Sequence, residues 1–168
     1  FAESGRDAFP AGQTEALIPK EFHEHLSEMG LRHGGEFQPI RELSAGNGRS
    51  VGQVALSTTI ARRASEYRLH PVLFDGALQI FSGAAATVEG RKTRLKLPVR
   101  FGKIHFLRSP GVSSLVRTRV QQFSDEFIEG ALELYDEAGK PCVLVYGFRA
   151  ISIAGARRRA STMGLAGE

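Results

Sequence analysis

The apolar positions of this chain change rhythm as the sequence proceeds. From Pro19 the spacing is helical: Phe22, Leu26 and Met29 fall four and three apart and share one face. Pro19 suits a first helical turn, and Gly30 a C-terminal stop. Ser44 to Ser50 reads as a turn, with Asn47-Gly48 as its hairpin signal. Val51 to Ile60 then alternates as a strand. Pro71 to Val88 is apolar or small nearly all round, and a helix without a charged face is buried. After it the period returns to two. Leu97 to Val99, Lys103 to Leu107, Val112 to Gln121, Phe127 to Tyr135 and Cys142 to Ile153 all have strand composition. Turn clusters separate them: Ser109-Pro110-Gly111, Ser124-Asp125 and Asp136 to Pro141. Leu115, Arg117 and Arg119 alternate with Val116, Thr118 and Val120, as in a strand with one buried and one wet face.

One buried helix and a long antiparallel sheet predict an α+β fold of hotdog type, with the sheet wrapped around the helix. The boundaries are a lead-in over 1–18, a domain over 19–153 and a flexible basic tail over 154–168. No internal repeat is visible.

Composition narrows the choice of function. The 168 residues fit one domain, with 42% hydrophobic and 24% charged residues. Nothing reads as a membrane span, since the most apolar stretch carries Asp75 and Gln79. The N-terminus lacks the pattern of a signal peptide, so a cytoplasmic location is expected. The single Cys142 excludes an internal disulfide and a cysteine-based zinc cluster. The net charge of +4 stems partly from Arg157, Arg158 and Arg159. Without aromatics interleaved among the basic residues, it does not read as a nucleic-acid stripe and leaves room for an acidic protein partner. His23 and His25 lie two apart, on different faces of their helix. That spacing does not suit a helical metal pair and leaves them as solvated residues.

The candidate chemistry lies around Asp75. A strand-like run ends at His70-Pro71, and the apolar helix follows. Asp75 is the sole acid between Glu66 and Glu89. Apolar surroundings favour a protonated carboxyl. A helix N-terminus favours the anion. Asp75 can therefore be a neutral acid or a helix-capping one. Gln79 lies one turn later on the same face, placed to hold that carboxyl. The three glycines of Gly30 to Gln38 mark either a simple connection or a loop passing close to a ligand.

These residues carry a resemblance. His70-Pro71-Val72-Leu73-Phe74-Asp75-Gly76-Ala77-Leu78-Gln79 resembles the second-half signature of polyketide synthase dehydratase domains. Gly30-Leu31-Arg32-His33-Gly34-Gly35-Glu36-Phe37-Gln38 resembles their GLxYGPxFQ loop, and Leu97-Pro98-Val99-Arg100 their LPV-type strand. The matches fall in the family's order. His33 replaces the usual Tyr, and Gly35 the usual Pro. The family's domains are double hotdogs whose first half carries a catalytic His in an HxxxGxxxxP motif. None of His23, His25, His33, His70 and His105 fits that motif, so the chain resembles the C-terminal hotdog alone.

The resemblance implies dehydration of a 3-hydroxyacyl chain carried on the phosphopantetheine of an acyl carrier protein, with no metal or redox cofactor. Asp75 would be the acid, supported by Gln79. His33, Gly34, Phe37, His70, Pro71 and Pro98 would border the substrate. The base histidine would come from a missing N-terminal hotdog half or a second copy of the chain. The alternatives are a product-template-like hotdog that binds and shapes a chain, a double-bond isomerase, and a thioesterase-like hotdog.

Overall fold

The computed structural model describes residues 14–89 and 94–152. Seven strands form one antiparallel sheet: β1 (Glu15–Leu17), β2 (Ile40–Gly46), β3 (Arg49–Ala55), β4 (Lys96–Phe106), β5 (Ser113–Phe123), β6 (Phe127–Tyr135) and β7 (Pro141–Ser152). Their spatial order is β1-β2-β3-β5-β6-β7-β4. Among the described residues three α-helices accompany it: α1 (Pro19–Glu28), the short α2 (Thr58–Ala61) and the long α3 (Pro71–Glu89). α3 packs against β2, β3, β5 and β6. This is the hotdog arrangement expected from the pattern.

α3 starts where the sequence says it should. The His70 carbonyl accepts the first helical bonds, from the Leu73 and Phe74 N–H groups at 3.0 and 3.2 Å. The His70 ring caps the end, its Nδ1 accepting from the Val72 N–H at 3.2 Å. Pro71, with no N–H to satisfy, occupies the first turn. Leu73, Ala77, Ile80 and Ala84 are completely buried. By length and composition this helix could cross a membrane, contrary to the sequence reading. It lies against the sheet, with much of its surface buried there.

The sheet comes unusually close to α3 at two glycines. A Cβ on Gly52 would overlap the Glu42 carbonyl and approach Ile80 Cδ1 to 2.8 Å. One on Gly130 would overlap the Arg119 carbonyl and approach the Phe81 ring to 2.6 Å. Beside them Ser50 donates to the Ile80 carbonyl at 2.6 Å and pairs with Thr118 at 2.6 Å. Phe81 meets Phe148 of β7 edge to face at 4.9 Å. Phe101 of β4 sits 5.4 Å from Phe148 and 5.5 Å from Phe74.

The β2–β3 hairpin turns at Asn47 and Gly48, with φ of 50° and 70° as a two-residue primed turn requires. The Gly48 N–H donates to Thr87 Oγ1 at 2.8 Å, and Thr87 donates to the Ala84 carbonyl at 2.8 Å. The hairpin tip thus grips the far end of α3.

The structure corrects several expectations. Glu15–Leu17 lies inside the stretch read as lead-in, yet it pairs with β2 as an edge strand. The strand read as Val51 to Ile60 stops at Ala55, and the chain enters the short helix α2 at Thr58, with Ser57 in the N-cap position. The run before His70 is no strand: Ala64–Glu66 is a 3-10 turn, and Tyr67 stacks edge-on with His70 at 4.7 Å. The two short strands read around Leu97 and Lys103 are one strand, β4, with a register shift between Pro98 and Arg100. Residues 1–13, 90–93 and 153–168, which include most of the lead-in and the basic tail, lie outside the described residues.

Candidate active site

Asp75 lies in the second turn of α3, beyond the reach of the strongest helix-end effect. Its side chain is 33% exposed and faces α1 and the loop that follows it. Gln79, one turn on and only 3% exposed, is the hub of a polar chain. Its Nε2 donates to Asp75 Oδ2 at 2.6 Å and to the Phe37 carbonyl at 3.0 Å. Its Oε1 accepts from His23 Nε2 at 2.8 Å. Since a carbonyl oxygen cannot donate, His23 carries its proton on Nε2. Asp75 Oδ2 is engaged by Gln79, which leaves Oδ1 for a reacting group.

His33 approaches from the loop, its Nε2 at 3.7 Å from Asp75 Oδ2. Its side chain is 12% exposed, and its Nδ1 is buried without a hydrogen-bond partner. Burial pushes the imidazole below its ordinary value, the Asp75 carboxylate draws it partly back, and His23 pushes it further down. Burial being the larger effect, the neutral imidazole is favoured, and the contact with Asp75 is not a strong ion pair.

A cavity of about 110 Å³ opens beside this constellation. Leu26 and Met29 of α1, Leu78 and Phe81 of α3, Leu97 and Pro98 of β4, and Phe148 of β7 give it apolar walls. His33, Asp75 and Gln79 supply polar groups on one side, and Arg94 and Lys96 on another. A second cavity of about 500 Å³ lies outside α1 and is polar, bordered by Lys20, His23, Arg32, His33 and Gln38. His23 and His33 are thus near neighbours of the Asp75–Gln79 pair on one side and of open, polar space on the other.

Of the residues singled out in the sequence, Asp75, Gln79, His33 and Pro98 come together at the cavity. Phe37 contributes its carbonyl, while its ring, 42% exposed, is not part of the wall. His70 and Pro71 build the start of α3 and do not border the cavity. Gly34 is exposed in the loop, with nothing within 4 Å of where a Cβ would sit. Sequence reasoning missed His23, taken there as solvated. It is half-buried and bonded to a residue 56 positions away, which no local spacing rule could show. Among the described residues, no group of three or more His, Cys, Asp or Glu is arranged to hold a metal ion.

Known proteins share this fold and pattern. The chain is 32% identical over 121 residues to the highly reducing polyketide synthase sphB of Aspergillus fumigatus, covering 68% of this chain and 5% of that one. It is 26% identical over 141 residues to polyketide synthase PksL of Bacillus subtilis, covering 80% of this chain and 3% of that one. The chain therefore spans only a small part of the curated relatives it matches. Among solved structures, the dehydratase domain from the CurK module of curacin polyketide synthase superposes with a TM-score of 0.79 at 25% identity, over 93% of this chain and 55% of that one. The dehydratase domain of PpsC from Mycobacterium tuberculosis, in complex with C12:1-CoA, gives 0.73 at 26% identity, over 86% and 54%. Each solved dehydratase is thus about twice what this chain matches. The family model that fits is described as the polyketide synthase dehydratase N-terminal domain, whereas the motif resemblance is to the second half. That model spans residues 2–160, nearly the whole chain, which belongs to the polyketide synthase dehydratase family.

Proposed function

We propose that this chain is the acid-bearing half of a dehydratase, the C-terminal hotdog of a double-hotdog domain. It removes water from a 3-hydroxyacyl chain carried on an acyl carrier protein and leaves an enoyl chain. The observation that carries this reading is a single carboxyl, Asp75, held by Gln79 at the rim of an apolar cavity. Dehydration needs a base for the α-proton and an acid for the departing β-hydroxyl. Asp75 Oδ1 gives the proton, the C–O bond breaks, and water leaves. A histidine of the other hotdog half takes the α-proton.

Two features support the missing half. The cavity, at about 110 Å³, is well below the several hundred Å³ that usually encloses a ligand, as a site with only one of its walls in place would be. The β4 edge strand exposes Leu97, Val99 and Ile104 at 43%, 53% and 50%, an apolar border open to pairing with the N-terminal half or a second copy. Two solved relatives are inactive mutants of the CurK dehydratase, one with a histidine replaced by phenylalanine and one with an aspartate replaced by asparagine. Replacing a histidine or an aspartate inactivates that enzyme, and the site proposed here likewise needs one residue of each kind. The reading calls for no metal or redox cofactor, the acyl chain arriving on a phosphopantetheine arm.

The absence of the HxxxGxxxxP histidine favours a second reading, a hotdog that binds a chain or shifts its double bond without losing water. The test is turnover of a 3-hydroxyacyl thioester followed by mass spectrometry, for this chain alone and joined to the preceding protein segment. Loss of water only with that segment supports the two-part site. Asp75→Asn, nearly isosteric, is expected to fold normally and lose turnover by about 10² to 10⁴. Full activity in Asp75→Asn sinks the assignment.

A further inference from the structure

Gln79 is buried and its amide is met at both ends. The donor end has two acceptors, Asp75 Oδ2 and the Phe37 carbonyl. The acceptor end meets the N–H of His23 at 2.8 Å. Turned over, the amide would set its oxygen against the Phe37 carbonyl, so its orientation is fixed while these partners stay. His23 is itself packed beside two rings. It follows Phe22, a core residue of α1, and its ring lies edge-on to Phe22 at 6.1 Å and to His33 at 6.4 Å. We infer that His23 is a positioning residue for the Asp75 carboxyl, acting through Gln79 from a helix that holds none of the family's motif residues.

The physical reason is the cost of an orphaned acceptor. Without His23, Oε1 of an amide that is 3% exposed would have lost its donor, and buried polar atoms without partners are strongly disfavoured. The amide would turn to find another donor, and its bond to Asp75 would loosen. The N–H of His23 is present in both the neutral Nε2–H tautomer and the imidazolium, so the hold does not depend on the charge of that ring. The titratable groups nearest Gln79 are Asp75, His23 and His33; Arg94 and Lys96 border the apolar cavity with them, and Lys20, Glu24 and Arg32 border the second cavity beside His23 and His33.

The catalytic consequence rests on the proposed dehydration; the positioning itself does not. The experiment follows the side-chain N–H pair of Gln79 by NMR in ¹⁵N-labelled chain, comparing the native protein with His23→Phe, His23→Leu and His23→Gln. The expected result is a protected Gln79 pair in the native chain, with exchange against water about tenfold faster in both donor-free variants. His23→Gln, which can donate again to Oε1, should restore much of the protection. In the complete two-half enzyme, His23→Phe should lower kcat about tenfold with KM nearly unchanged, and His23→Gln should recover part of it. An unchanged Gln79 pair in whichever donor-free variant folds overturns the inference. If the Gln79 pair responds as expected but no 3-hydroxyacyl thioester is ever turned over, the positioning stands and the dehydratase reading falls.

Discussion

The two sides of the sheet are finished to different degrees. On the β3–β5–β6 side the chain completes its own wall: Gly52 and Gly130 leave no room for a Cβ, and Ile80 and Phe81 of α3 fill the space directly above them. On the β4 side, most residues are exposed along the whole strand, large apolar ones among them. The site lies where the two meet. Asp75 and Gln79 rise from the helix that the finished wall holds, and Leu97 and Pro98 of the unfinished edge form the opposite side of the cavity. A site so placed has rigid chemistry on one flank and borrowed enclosure on the other.

The contrast can be broken at its finished side first. Gly130→Val would drive a branched side chain into the Arg119 carbonyl and the Phe81 ring. We expect at least about 3 kcal/mol of destabilisation, read as a large drop in the urea midpoint, since neither backbone nor buried ring can yield cheaply. The same kind of insult on β4 should do little to the chain itself. Val99→Lys with Ile104→Lys should change its stability by no more than about 0.5 kcal/mol per site, yet abolish association with a second hotdog in sedimentation. Equal damage at both places would mean that β4 is not an open border.

The smallest effect concerns His33, at the boundary. Burial lowers its folded value below the ordinary 6.5. Between that lowered value and 6.5 the unfolded chain binds more protons than the folded one, so stability rises with pH through this window. The contribution is complete above 6.5 and is lost as pH falls through the folded value. His33→Phe should flatten that rise, measured as urea stability against pH. A partner that covers the site would bury His33 further and widen the window downward.

Much of the fold could be read from the chain because its causes are local. A helix apolar all round, an Asn-Gly turn and strands of period two announce themselves within a few residues, and α3, the hairpin turn, β5, β6 and β7 follow the expected positions closely. Asp75 and Gln79 were legible for the same reason, one turn apart on one helix. The errors came where geometry overrode composition. β3 ended at Ala55 although its residues still alternated beyond it, and β4 ran on through Pro98 with a register shift. His23 was out of reach altogether, because its importance comes from a residue on another helix. Phe37 was expected to border the substrate; what it gives the site is its backbone oxygen, which accepts from Gln79.

The hairpin tip that grips Thr87 turns α3 into a measuring rod. Thr87 lies twelve positions after Asp75, about 18 Å along a helix. With its far end clamped by the Gly48 N–H and its middle held by Ser50 of β3, which donates to the Ile80 carbonyl, the rod has little freedom to slide or roll. Its length and phase therefore decide where the carboxyl arrives. One residue inserted between Asp75 and Thr87 would carry Asp75 about 1.5 Å along the axis and swing it by about 100°, away from Gln79's partners and out of the cavity. In this chain the distance from a remote turn to the acid is counted in helical residues.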